Sequence, residues 1–266
     1  MKTIQGIVIA GKSLPASAVY LRHLRERGFV PDTIVEIRRL ADLDGIYRLL
    51  SFLSSPSFAL SCMKRIARLL GGDFAPRAET RRVNFARYCR RRSICHVLNI
   101  NSWSLRWMLR RMPHEHVIFT GGGILQKPIL SIGKKFIHVH PGILPHIRGA
   151  DGFLWSVLLR GKPGYSAFLM NTGIDTGTIL CAQEYPFDKS SIGAERDADT
   201  IYRMILDRID IEFRARTLCS LMEMTGGLTS MDRVRAKPQK WKEGRSYYLM
   251  HPTLRSKTIG LLLADR

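Results

Sequence analysis

Several things are scarce in this chain, and each scarcity removes a class of protein. Its five cysteines (Cys62, Cys89, Cys95, Cys181, Cys219) are odd in number, scattered, and never spaced as CxxC. That argues against a disulfide framework and against a zinc knuckle, and for reduced thiols in a cytosol. Long apolar runs are missing too. The longest uncharged stretch, Leu49 to Met63, contains Pro56 and falls short of the roughly 20 apolar residues a spanning helix needs. The first ten residues, MKTIQGIVIA, run straight into a strand pattern instead of a leader peptide, so a cytoplasmic protein is expected. Neither GxGxxG nor GxxxxGKS occurs, and no repeat or low-complexity segment is present.

Acidic residues are also few. Asp and Glu total 22 against 42 Lys and Arg, a formal net charge of +20. Such a balance favours anionic partners: a small anionic substrate, RNA, or an anionic membrane surface. Hydrophobic content of 45% over 266 residues suffices for a sizeable core.

Read in order, the chain alternates strand and helix patterns. Ile4 to Ala10 is a β-branched run of the buried, parallel kind. Gly11-Lys12-Ser13 then leads into a helix from Pro15 to Arg27, a weak anion-binding signal, and Thr33 to Ile37 completes a β-α-β unit. Gly45 to Leu70 is helical by period, basic and amphipathic; it reads as a helical hairpin on a sheet face, or as a contact with a partner or membrane surface. Arg81 to Arg92 packs six arginines around Phe85 and Tyr88, a solvated helix face or a phosphate-binding, base-stacking patch. Strands follow at Ile94 to Ile100, His116 to Thr120 and Phe136 to Val139. A helix from Trp103 to Met112 is expected to be N-capped by Ser102. Further on come a helix from Gly152 to Arg160, with Trp155 read as core, and strands at Tyr165 to Asn171 and Thr178 to Pro186. A long helix spans Ala198 to Met224, and a basic tail follows. This alternation predicts an α/β fold, an open, mostly parallel sheet flanked by helices. The expected division is a catalytic domain over 1–187 and a helix with a basic tail over 188–266.

Chemistry concentrates between Phe136 and Leu180. His138 and His140 end a strand and are followed at once by Pro141-Gly142; a regular strand is expected to send them to opposite sides, and this break, with the returning Asp175, to bring them to one site. Asp175 returns inside Gly-Ile-Asp-Thr-Gly. Two imidazoles and a carboxylate on loops are the materials of acid-base work at a polarised carbonyl. The triplet Gly121-Gly122-Gly123 at a strand's carboxyl end lets backbone approach a ligand. Arg148 is placed either to bind substrate phosphate or to pin its own loop. His138, His140 and Asp175 lack the further ligand signature a metal would need, so none is expected.

The run HVHPGILPHIRG followed by GIDTG resembles the folate-dependent formyltransferases, a family that includes the glycinamide ribonucleotide, methionyl-tRNA and sugar-nucleotide enzymes. The resemblance covers residues 94 to 187 well and the first 40 loosely. It implies a Rossmann-like sheet with a short C-terminal extension, and 10-formyltetrahydrofolate as co-substrate. It further implies catalytic roles for His140, Asp175 and His138, which stands where the family has asparagine. The pterin would meet main chain at Gly121, Gly122, Gly123, Ile124 and Leu125 and in the loop at Gly173. Gly142, where the family often has serine, and Arg148 would face the substrate. The tail carries Gln239, Gly244 and Tyr247-Tyr248 and resembles the ends of some sugar formyltransferases. Because it is shorter than a methionyl-tRNA enzyme's extra domain, a nucleotide-linked amino sugar is the expected formyl acceptor. Methionyl-tRNA or another amine is an alternative. Hydrolysis releasing formate is another, as is a non-catalytic binder of RNA or anionic membrane. A homodimer is among the expected partners.

Overall fold

A computed structural model describes residues 1–11, 15–39, 51, 53–69, 84–97, 99–121 and 123–264. Seven strands form one sheet, in the order β3-β2-β1-β4-β5-β7-β8. They are β1 (Lys2–Gly11), β2 (Phe29–Arg39), β3 (Arg91–Val97), β4 (His116–Phe119), β5 (Lys135–His140), β7 (Gly164–Leu169) and β8 (Ile179–Glu184). Pairing is parallel from β3 through to β5, and β7 is antiparallel to both β5 and β8. The expected mostly parallel α/β sheet is therefore present.

The central strands are apolar on both faces because helices cover both. All four residues of β4 are buried. One face packs Val8, Ile118, Ile137 and Val139 against α1 (Pro15–Glu26), α5 (Gly152–Arg160) and α7 (Asp210–Thr225). The other face packs Ile7, Val117, Phe119 and Phe136 with Leu105 and Leu109 of α3 (Trp103–Arg111) and Ile129 of α4 (Lys127–Leu130). Leu218, Leu221 and Met222 of α7 share the first cluster with Leu21 and Leu24 of α1. Full burial of side chains of this size contributes roughly 1.5–3 kcal/mol each.

Several details depart from the sequence expectations. Ser102 occupies the N-cap position of α3, but its hydroxyl donates to the Asn99 carbonyl (2.7 Å) instead of capping the helix. The long helix expected over 198–224 is two segments, α6 (Ala198–Met204) and α7, joined through a π turn at Ile205–Ile209. The arginine-rich stretch is no helix where it is described: Phe85–Tyr88 is a single 3-10 turn with Phe85 buried, and Arg91 and Arg92 open the edge strand β3. Arg92 and Arg38 both bond the buried carboxylate of Glu36, which explains an acid deep in a sheet. Arg81 and Arg82 lie outside the described residues, as do Lys12 and Ser13 of the anion-binding reading. Of the Gly45 to Leu70 hairpin, the described part contains the helix α2 (Pro56–Leu69). No helix among the described residues is long and apolar enough to cross a membrane.

After α7 the chain returns across the sheet's edge. Lys237 bridges Ile179, β9 (Arg245–Tyr247) pairs with β6 (Ile147–Gly149), and α8 (Pro252–Leu263) closes the described chain.

Candidate active site

Both histidines sit on β5, which runs parallel to β4, so they lie at the carboxyl edge of the parallel sheet. That edge is where open α/β sheets gather ligands. Positions i and i+2 of a strand project to one face, so no break at Pro141-Gly142 is needed to bring the two rings to the same side. In this respect the sequence expectation is corrected. The shared face is that of Phe119, whose ring centroid lies 5.8 Å from that of His138.

His140 is 3% exposed. Its Nε2–H donates to the Ile147 carbonyl (3.0 Å), and its Nδ1 faces Oδ2 of Asp175 at 3.4 Å. Burial lowers its pKa while Asp175 opposes the shift. Asp175 itself is fixed from two sides. Its Oδ2 accepts the Gly149 N–H (2.9 Å), and its carbonyl accepts the Gln239 side-chain amide (3.0 Å). Its backbone is left-handed at φ 53°, a conformation aspartate tolerates better than most residues.

His138 is half-buried between aromatic rings, with Phe168 edge-on at 6.1 Å on the side away from Phe119. Its Nδ1–H donates to the Phe119 carbonyl at 2.9 Å. Burial, reinforced by the charge of Arg214, lowers its pKa to about 4. Arg214 lies in α7, on the opposite sheet face, where it pairs with Asp210 (2.7 Å) and donates to the Val139 carbonyl (3.2 Å). Tyr165 donates to the other oxygen of Asp210.

The remaining expected site residues are placed as follows. Gly142 packs on His140: a Cβ there would stand 2.8 Å from Nε2 and 2.7 Å from the Ile147 oxygen, so no side chain fits beside the ring as it stands. Arg148 is 1% exposed, and its guanidinium donates to Gln239 Oε1 and to the carbonyls of Lys240 and Trp241. Those bonds pin the tail and not the loop that bears Arg148. Gly173 permits a tight turn, since a Cβ would meet Thr176 Oγ1 at 2.2 Å. Gly121 and Gly123 border the turn after β4, Ile124 is 67% exposed and Leu125 is buried. Gly122 lies outside the described residues. Asn101 braces this turn by donating to the Ile124 carbonyl and accepting the Gln126 N–H.

A cleft of about 510 Å³ opens beside the Asp175 loop. It is lined by Arg148, Asn171, Ile174, Gln239 and Trp241, among others, and not by the two histidines or the Gly121 turn. Sequence reading had no means of finding Asn171, Gln239 and Trp241 as lining residues. Gln239, noted only for the tail's resemblance, lies more than 60 residues from the loop it bonds, and nothing local ties it or Trp241 to that loop. Trp155, read as core, packs partly buried against the main cluster; its ring lies tilted 4.6 Å from that of Tyr247, and its N–H donates to the Tyr248 carbonyl.

Compared with known proteins, the chain is 32% identical over 108 residues to a methionyl-tRNA formyltransferase of Citrifermentans bemidjiense, a match covering 40% of this chain and 32% of that one. A methionyl-tRNA formyltransferase of Clostridium novyi is 35% identical over 85 residues, covering 31% of this chain and 28% of its own. The matches thus span about a third of the length of these curated relatives. Among solved structures, a sugar N-formyltransferase from Shewanella aligns over 97% of this chain and 86% of its own, at 16% identity and TM-score 0.49. No family model matches.

Proposed function

We propose that this chain, a relative of the formyltransferases, moves a formyl group from 10-formyltetrahydrofolate to an amine of an anionic acceptor. The observation that carries the reading is the buried His140–Asp175 pair, set in HVHPGILPHIRG and GIDTG at the carboxyl edge of the sheet. The site's own materials fit such a donor. Gly121 and Gly123 bare the main chain, and the exposed side chains of Ile124 and Ile174 offer apolar surface to a flat ring. Main-chain groups from Gly121 to Leu125 and at Gly173 would hold the pterin, with Gly122 assigned by its place in the run.

The chemistry is attack by the amine nitrogen on the formyl carbon, passage through a tetrahedral oxyanion, and departure of the folate nitrogen with a proton. Residues at this edge must orient the two reactants, keep water out and manage one proton. For the acceptor we favour a nucleotide-linked amino sugar. The 510 Å³ cleft is of small-molecule size, and it places the exposed ring of Trp241 beside the Arg148 side chain. A net charge of +20 favours an acceptor bearing phosphates.

The test is incubation of the purified protein with 10-formyltetrahydrofolate and, in parallel, nucleotide-linked amino sugars, methionyl-tRNA, or water alone, followed by mass spectrometry and formate determination. An N-formylated sugar nucleotide is expected. Formylmethionyl-tRNA would move the acceptor to tRNA, and formate without acceptor would make the protein a hydrolase. Absence of folate binding and of every product would overturn the reading.

A further inference from the structure

We infer that His138 is the general base of this site, taking the proton of the attacking nitrogen on Nε2, and that His140 is a positioning residue. The inference rests on the proposed formyl transfer. It separates two histidines to which the resemblance alone gives shared catalytic roles.

The carbonyl of Phe119 can only accept, so the 2.9 Å bond to His138 puts that ring's proton on Nδ1. In the neutral ring Nε2 is then a lone pair. It has no hydrogen-bond partner among the described residues, and the residue is only half-buried. The rings of Phe119 and Phe168 restrict its rotation. An asparagine amide offers hydrogens to an oxyanion, whereas this lone pair would repel one and attract an N–H. The substitution therefore inverts the polarity of the position and does not conserve it.

His140 has the opposite arrangement. Nε2–H is committed to the Ile147 carbonyl, Nδ1 faces Asp175, and the ring is 97% covered. Gly142 closes against Nε2 with no room for a side chain. Neither nitrogen is presented to a reactant. What this pair does is couple β5 to the two loops bearing Ile147 and Asp175.

The charged and titratable groups around His138 agree with a neutral base. Burial and then Arg214, from the far sheet face, disfavour a proton; the Phe119 carbonyl and Asp175 oppose them, and His140 disfavours one least. The free-base form is therefore full at neutral pH. In the step itself, the amine nitrogen bonds to the formyl carbon, the C=O π pair moves to oxygen, and an amine proton passes to His138 Nε2. The carbonyl then re-forms, the carbon–N10 bond breaks, and the same proton passes from Nε2 to N10. Products are the formamide and tetrahydrofolate, with the ring returned to neutral. The developing oxyanion favours the imidazolium it generates.

Three measurements test this. First, ¹⁵N NMR of the wild-type histidines should show His138 protonated on Nδ1; an Nε2–H tautomer would overturn the inference regardless of activity. Second, tetrahydrofolate release is followed with a UDP-linked amino sugar as acceptor, or with water if the wild type turns over only water. His138→Asn should lose roughly 10²–10⁴-fold in kcat, with KM for 10-formyltetrahydrofolate unchanged. Third, imidazole added to His138→Ala should restore turnover in proportion to its free-base fraction. Folate binding by both variants verifies their folding. An Asn variant with wild-type kcat would mean that an amide donor suffices, and loss without imidazole response would assign the ring to packing; either overturns the inference. A wild type without product from any nucleophile removes the formyl-transfer reading itself, before the variants are compared.

Discussion

His138 shows how much one side chain's surroundings decide. Its pKa, lowered to about 4 from the ordinary 6.5, also has a consequence for stability. Between those values the unfolded chain binds a proton that the folded chain refuses, so stability rises with pH across the window and falls as pH drops from 6.5 toward 4. The full penalty below pH 4 is on the order of 3 kcal/mol, because each tenfold loss of proton affinity on folding costs about 1.36 kcal/mol. Buried His116, also lowered, adds to the same slope. Urea unfolding at pH 7 and pH 5 should show the loss, and His138→Asn should flatten it. An unchanged slope in that variant would place the acid sensitivity elsewhere. Histidines ending a strand beside a glycine were legible as site candidates from sequence. Which ring nitrogen stays open was not, because the Phe119 and Ile147 carbonyls that decide it lie 19 and 7 residues away.

At the scale of elements, the tail from Lys237 to Met250 works as a strap. Gln239 is its fastener: the amide donates to the carbonyls of Asp175 and Gly177, and its oxygen accepts from Arg148. Gln239→Leu keeps the bulk and leaves those groups unpaired, at about 1–3 kcal/mol for each that stays buried. Denaturant unfolding should record a loss of that order, with faster proteolysis after residue 237. Wild-type stability and protease resistance would mean that the β6–β9 pairing alone holds the strap. From sequence Arg148 could bind a substrate phosphate or pin its own loop, and it sits in β6. Its carbonyl partners come from the tail, and tertiary contacts of that range leave no trace in local pattern. The strands were legible for the opposite reason, since runs such as IVIA and VIF are apolar throughout and only a sheet covered on both faces buries them.

For the whole molecule, a division at residue 187 would give two units that melt separately. Yet α7 lies in one core cluster with α1 and β5, and its Arg214 donates to the Val139 carbonyl. Calorimetry of the full chain should therefore show one cooperative transition. Two resolved transitions would restore the division.

The sequence by itself determined the α/β class, the mostly parallel sheet and the loops that carry the candidate chemistry. Periodicity, glycine punctuation and a dense local motif are all short-range signals. Only the tertiary structure decided the strand order, the tail's closure over the Asp175 loop, and the orientation of each imidazole. Each of these depends on which main-chain groups a distant segment brings within hydrogen-bonding reach, and chain order alone does not encode that distance.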